Sequence, residues 1–92
     1  MDNRNNIDVP IKFEVGYNIN HTVLVINRLK LHYSYSTVVA FELDGELCIS
    51  ENVWTRTTGK HLNYISADKS ERLKFDEFEK ELKKAFIEVG LK

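Results

Sequence analysis

From Ile11 to Val15 the chain alternates apolar and charged residues, Ile-Lys-Phe-Glu-Val, directly after Pro10, whose ring forbids a helix running through it. This predicts a half-buried strand behind a polar, asparagine-rich tail over residues 1–9. The stretch from Gly16 to Asn20 reads as a connection. After Thr22, Val23 to Ile26 is apolar on both faces, and then Leu29, Leu31 and Tyr33 alternate with Arg28, Lys30 and His32. One central strand that becomes one-sided along its length has this pattern. Thr37–Leu43 and Glu46–Val53 flank Asp44-Gly45, a dipeptide suited to the type I′ turn because both central residues need positive φ. Thr57-Thr58-Gly59-Lys60 predicts a second turn, leading into a strand over His61–Ile65, and Ala67–Ser70 a third, leading to Arg72–Phe75.

The period then changes. Asp76 and Glu79 have the spacing of an N-cap with a reciprocal carboxylate, and Phe78, Leu82, Ala85, Phe86 and Val89 form one stripe at helical spacing, with Lys80, Lys83, Lys84 and Glu88 outside it. Gly90 suits the left-handed position that follows a helix. Burying the four large side chains of the stripe is worth roughly 6 to 12 kcal/mol before entropy, comparable to a domain's net stability, so this helix is structural first. Ile87 falls off the stripe and is expected to stand exposed. The sum is an α+β fold: a mostly antiparallel β-sheet packed by one C-terminal amphipathic α-helix, forming a single domain over residues 10–92.

Length and composition narrow this little. Ninety-two residues, 42% hydrophobic and 29% charged, suit one globular core. No apolar run approaches the roughly 20 residues of a bilayer crossing, and Met1 to Asn6 lacks the apolar core of a signal peptide, so a cytoplasmic protein without a membrane partner is expected. Cys48 is the only cysteine, which excludes an internal disulfide and a thiolate zinc cage. A formal net charge of −1 leaves any nucleic-acid site to a local patch.

Candidate chemistry is sparse. His21, His32 and His61 lie far apart, and none has a second histidine at i+3 or i+4, so no metal is expected. Ser34, Ser36 and Ser50 lack a nucleophile elbow, and Glu42, Asp44, Glu46 and Glu51 read as a solvated hairpin face, so neither catalytic residue nor cofactor is assigned. The segment from Asn52 to Tyr64 is richer. Trp54 and Tyr64 offer π faces, Arg56 and Lys60 offer charge, and His61 and Asn63 can bond to base edges or phosphates. From Trp54 to Lys74 there are five basic residues against two acids, whereas Phe41 to Asn52 holds four acids and no base. Trp54, Arg56, Lys60, His61, Asn63 and Tyr64 are therefore the candidate nucleic-acid contacts. The competing reading makes Trp54 core, Thr57 and Thr58 strand and turn residues, and Asn52 and Asn63 loop-bonding amides.

The stretch Tyr33 to Phe41 (Tyr-Ser-Tyr-Ser-Thr-Val-Val-Ala-Phe) and the stretch Ser50 to Asn63 resemble a group of small uncharacterised proteins carried by phages and plasmids, over roughly residues 31–86. The Asn-x-Trp, Thr-Thr-Gly and His-Leu-Asn elements of that group map onto Asn52, Trp54, Thr57, Thr58, Gly59, His61, Leu62 and Asn63. The resemblance implies a mobile-element origin, and it brings no catalytic residue. The order of elements also resembles coactivator folds that bind single-stranded DNA as homodimers, a likeness of topology alone. Two functions follow as expectations. One is a non-catalytic accessory protein binding nucleic acid, single-stranded by preference. The other is an inhibitor or adaptor that binds a host protein through a sheet edge or the acidic hairpin Glu42–Glu51.

Overall fold

The structure is a computed structural model and describes residues 11–16 and 20–90; the expected tail over residues 1–9 lies outside them. Six strands, β1 Ile11–Val15, β2 His21–Ile26, β3 Leu29–Ser34, β4 Thr37–Leu43, β5 Glu46–Ser50 and β6 Arg72–Leu73, form one open sheet in sequential order. β1 to β5 are antiparallel neighbours, and the two-residue β6 returns parallel to β5. Helices α1 (Arg56–Ile65) and α2 (Phe75–Glu88) complete an α+β fold.

The Asp44-Gly45 hairpin forms as its sequence predicts, with φ of 54° and 85° at the two residues. The single strand expected over residues 22–33 is instead two. Asn27, at φ 54°, turns the chain within two residues, and Ile26 pairs with Leu29. Asparagine tolerates the left-handed region where most residues do not, and that signal sits inside an otherwise unbroken β pattern. A third two-residue turn, with Tyr35 at φ 57°, joins β3 to β4.

Register sorts the side chains onto two faces. On one, Leu29, Leu31 and Phe41 are buried with Phe78 and Ala85 of α2, and Leu82, Phe86 and Val89 pack against them. The predicted stripe is thus the docking face of α2, while Ile87 is 72% exposed and Gly90 takes φ 85° just past the helix. On the other face, Val39, Ala40 and Ile49 bury against Leu62 of α1, with Trp54 and Ile65 at the margin. A bulge in β4 makes this possible. His32 pairs with Ala40 but Tyr33 with Val38, so Val39 is the extra residue, and Val39 and Ala40 both enter the second core.

Two boundaries differ from expectation. The strand expected to reach Val53 ends at Ser50. Helix α2 begins at Phe75, so Asp76 lies inside the first turn and does not cap it. The cap comes from elsewhere in the chain: the Glu51 carboxylate accepts the Phe75 N–H at 3.0 Å, while the Glu51 N–H donates to Leu73 O at 2.7 Å. A carboxylate at a helix N-terminus is stabilising whether or not it is local in sequence.

Truncating Phe78, which is 1% exposed between α2 and Phe41, should cost about 3 to 5 kcal/mol as Phe78→Ala. Leu82→Ala, at the margin of the same core, should cost less, and urea midpoints compare the two. Gly45→Val places a β-branched residue at positive φ and should lower the midpoint although nothing lies within 4 Å of a Cβ there. An unchanged midpoint for Phe78→Ala would remove α2 from the core.

Candidate nucleic-acid interface

Residues 57–60 are not a turn, nor 61–65 a strand. The segment from Arg56 to Ile65 is a helix, capped by Thr55, whose Oγ1 accepts the Thr58 N–H at 3.3 Å. Asn52 shapes the approach: its Oδ1 accepts the Trp54 N–H and its Nδ2 donates to the Thr55 carbonyl, both at 2.9 Å. A Cβ at position 59 would stand 3.0 Å from Asn52 Nδ2, so Gly59 gives that amide room against the first turn. Thr58, His61, Leu62 and Ile65, at i, i+3, i+4 and i+7, form the inward face. That spacing is present in the sequence, but two of its four members are polar, which hid the stripe beneath a β-prone, glycine-containing run.

The inward face docks through hydrogen bonds as well as apolar area. Ser34 of β3, 2% exposed, shares its hydroxyl between Thr58 Oγ1 at 2.9 Å and His61 Nδ1 at 2.7 Å. His61 is fully buried and stacks on His21 with ring centroids 5.5 Å apart, and His21 Nε2 lies 3.3 Å from His32 Nδ1. His32 Nε2 in turn lies 2.9 Å from Glu42 Oε2. The fold therefore gathers three histidines that are dispersed in the sequence, a convergence that only the β2–β3 turn and α1 create. Ser34 and His61 stand at the distance of a nucleophile and its base, but both are buried between β3 and α1 and Ser34 is shared with Thr58, so the pair fastens the helix to the sheet. Among the described residues no group of three or more His, Cys, Asp or Glu is arranged to hold a metal ion. Beside the cluster a cleft of about 370 Å³ opens, lined by Glu14, Lys30, His32, Glu42 and Tyr64.

Burial, reinforced by His32 and His61, pushes His21 down to about 4, and burial also lowers His61. Cys48 is pushed up to about 11 by burial and then by Glu81, which leaves it a thiol.

The outward face of α1 is formed by Arg56, Thr57, Lys60, Asn63 and Tyr64, all exposed, Tyr64 by 60%. No acidic residue occurs from Thr55 to Ala67. Arg72 Nη2 donates to Asn63 Oδ1 at 2.8 Å and adds a third guanidinium or ammonium beside the helix. Of the six sequence candidates, Arg56, Lys60, Asn63 and Tyr64 share this face. Trp54 is half-buried, edge-on to Phe75 with centroids 5.5 Å apart, and His61 lies on the opposite side of the helix. Of the eight elements of the resemblance, Asn52, Thr58, Gly59, His61 and Leu62 build or dock α1, Trp54 anchors it to α2, and Thr57 and Asn63 face outward.

Residues 4–87 match the model of a family of unknown function, DUF8033. The chain belongs to this family. The DUF8033 match reaches past the resemblance over residues 31–86 to take in β1 and β2, so the whole described sheet lies within it. The DUF8033 chain has no significant match among curated proteins or solved structures. No helix among its described residues is long and apolar enough to cross a membrane.

The histidine cluster makes stability pH-dependent. In the unfolded chain histidine titrates near 6.5, so as pH falls the unfolded state binds protons that folded His21 refuses until about 4. Stability is full above about pH 6.5 and is lost as pH falls to about 4, by roughly 3 kcal/mol from His21 alone. Urea midpoints across this window should fall for the wild type and fall less for His21→Phe, a comparison that separates His21 from the carboxylates.

Proposed function

We propose that this chain is a non-catalytic nucleic-acid-binding domain that contacts its ligand through the outward face of α1. The observation that carries the reading is the alignment of Arg56, Lys60, Asn63 and Tyr64 along one exposed helix face with no acid in the segment. Cations at i and i+4 track a phosphate backbone, and an exposed tyrosine supplies a stacking surface. Helix α2 contrasts with it, carrying Asp76, Glu77, Glu79, Glu81 and Glu88 against Lys80, Lys83 and Lys84. A patch of this size on a near-neutral chain fits weak, salt-sensitive binding. The mobile-element setting implied by the resemblance suits such an accessory role, and single strands remain the favoured ligand because Tyr64 is presented for stacking.

The rival, an inhibitor or adaptor of a host protein, draws support from the groove between β5 and α2. It is lined by Glu46, Glu81, Glu88 and Lys84 beside Leu47 and Cys48.

Fluorescence anisotropy with labelled single- and double-stranded oligonucleotides at low and moderate salt tests the reading. Arg56→Ala and Lys60→Ala should each weaken binding and reduce the salt slope by about 1. Tyr64→Ala should cost roughly 1 to 3 kcal/mol on single strands and little on duplex. Arg56 and Lys60 are exposed, so their variants should keep the wild-type unfolding midpoint, while Tyr64 lies edge-on to His21 with centroids 5.7 Å apart, so the binding of its variant is measured alongside the midpoint. A folded wild type that binds neither form at low salt rejects the reading in favour of the protein-partner rival.

A further inference from the structure

Strand β1 ends the sheet: among the described residues it pairs with β2 alone. The Gly16 N–H donates to His21 O at 2.7 Å, which makes Gly16 and His21 a hydrogen-bonded pair of the β1–β2 ladder. Antiparallel ladders alternate, so positions 14 and 12, opposite Val23 and Val25, also direct their backbone groups to β2. The N–H and C=O groups of positions 11, 13 and 15 therefore face the open edge. At its centre Phe13 is 74% exposed, on the face that α2 covers farther along the sheet.

Open edges are usually blunted by charge or proline. Here the charges are arranged otherwise. The sequence Ile11-Lys12-Phe13-Glu14-Val15 reads apolar, cation, apolar, anion, apolar, and its reversal meets it with opposite charges aligned. We propose that two copies of this chain associate edge to edge through β1, antiparallel about a two-fold axis at Phe13. In that register Phe13 meets Phe13 as a hydrogen-bonded pair, Ile11 lies opposite Val15, and Lys12 lies opposite Glu14 twice. The two charged pairs fall at the non-hydrogen-bonded positions, where side chains approach most closely. The interface is isologous, so it closes at two copies and offers no further edge of the same kind. The axis runs perpendicular to the sheet, which puts both α1 helices on one face and both α2 helices on the other.

One short strand makes a small interface, so the dimer belongs at the weak end, and sedimentation velocity should span about 1 μM to about 1 mM. The wild type should pass from monomer to dimer within that range. Lys12→Glu alone, or Glu14→Lys alone, sets like charges opposite each other twice and should weaken self-association about tenfold or more. An equimolar mixture of the two variants restores opposite charges at both pairs and should form a heterodimer at least as readily as the wild type dimerises. Circular dichroism checks that each variant is folded, and recovery in the mixture excludes misfolding as the cause of the loss. A wild type that stays monomeric throughout overturns the inference, as do a dimer indifferent to both substitutions and a mixture that fails to recover.

Discussion

The Ser34 hydroxyl, held between Thr58 and His61, decides which way α1 faces, and with it the character of one whole side of the molecule. Apolar contact is non-directional, and Leu62 with Ile65 would tolerate a helix rotated by some tens of degrees. Two hydrogen bonds to one buried oxygen do not tolerate that. Leaving either partner unsatisfied costs about 1 to 3 kcal/mol, so the rotation that presents Arg56, Lys60 and Tyr64 to solvent is enforced from beneath. The β4 bulge serves the same end, because placing Val39 and Ala40 together under α1 provides an apolar floor beside the polar seam.

The two sides of the sheet are coupled through the loop that follows β5. Glu51 closes the parallel pairing with Leu73 and caps α2, and three residues later Trp54 lies edge-on against Phe75, the first residue of that helix. The loop that launches α1 is thus also the loop that anchors the start of α2. Trp54, attractive in the sequence as a stacking platform, spends its ring largely on this junction. Its removal would disturb both helices, so a loss of binding in a Trp54 variant would say little about ligand contact. The variants that report on the surface are those of α1's outward residues.

Much of the fold was legible from residue order. The Asp44-Gly45 turn, the strand at β1 and the α2 stripe each rest on a local rule that the tertiary structure does not oppose, although Phe13, expected on a half-buried face, stands 74% exposed because α2 does not reach the sheet edge. The misreadings occur where local preference was overruled. Thr57, Thr58 and His61 favour extended or turn conformations in isolation, yet the Thr55 cap and the Ser34 bonds make them helical. Asn27 turns the chain within a run of β-branched and aliphatic residues whose pattern carries no interruption. The Glu51 cap of α2 was invisible because it spans more than twenty positions. As for the site, four of its six expected residues share one face, but the helix that aligns them was masked by the polar Thr58 and His61 in its inward stripe, and the histidines packed behind it meet only through tertiary contacts.

The sequential meander has a kinetic side. Three successive two-residue turns bring β2 to β5 together through contacts between near neighbours, and loop closure of that kind is entropically cheap and fast. The parallel pairing of β5 with β6 is different, since it must enclose the whole segment from Glu51 to Glu71, α1 included. Chain entropy therefore favours assembly of the antiparallel scaffold first, with the helical half closing onto it afterwards. By the same accounting α1, β6 and α2 close last, so the surface we assign to binding is completed only once the antiparallel scaffold beneath it is in place.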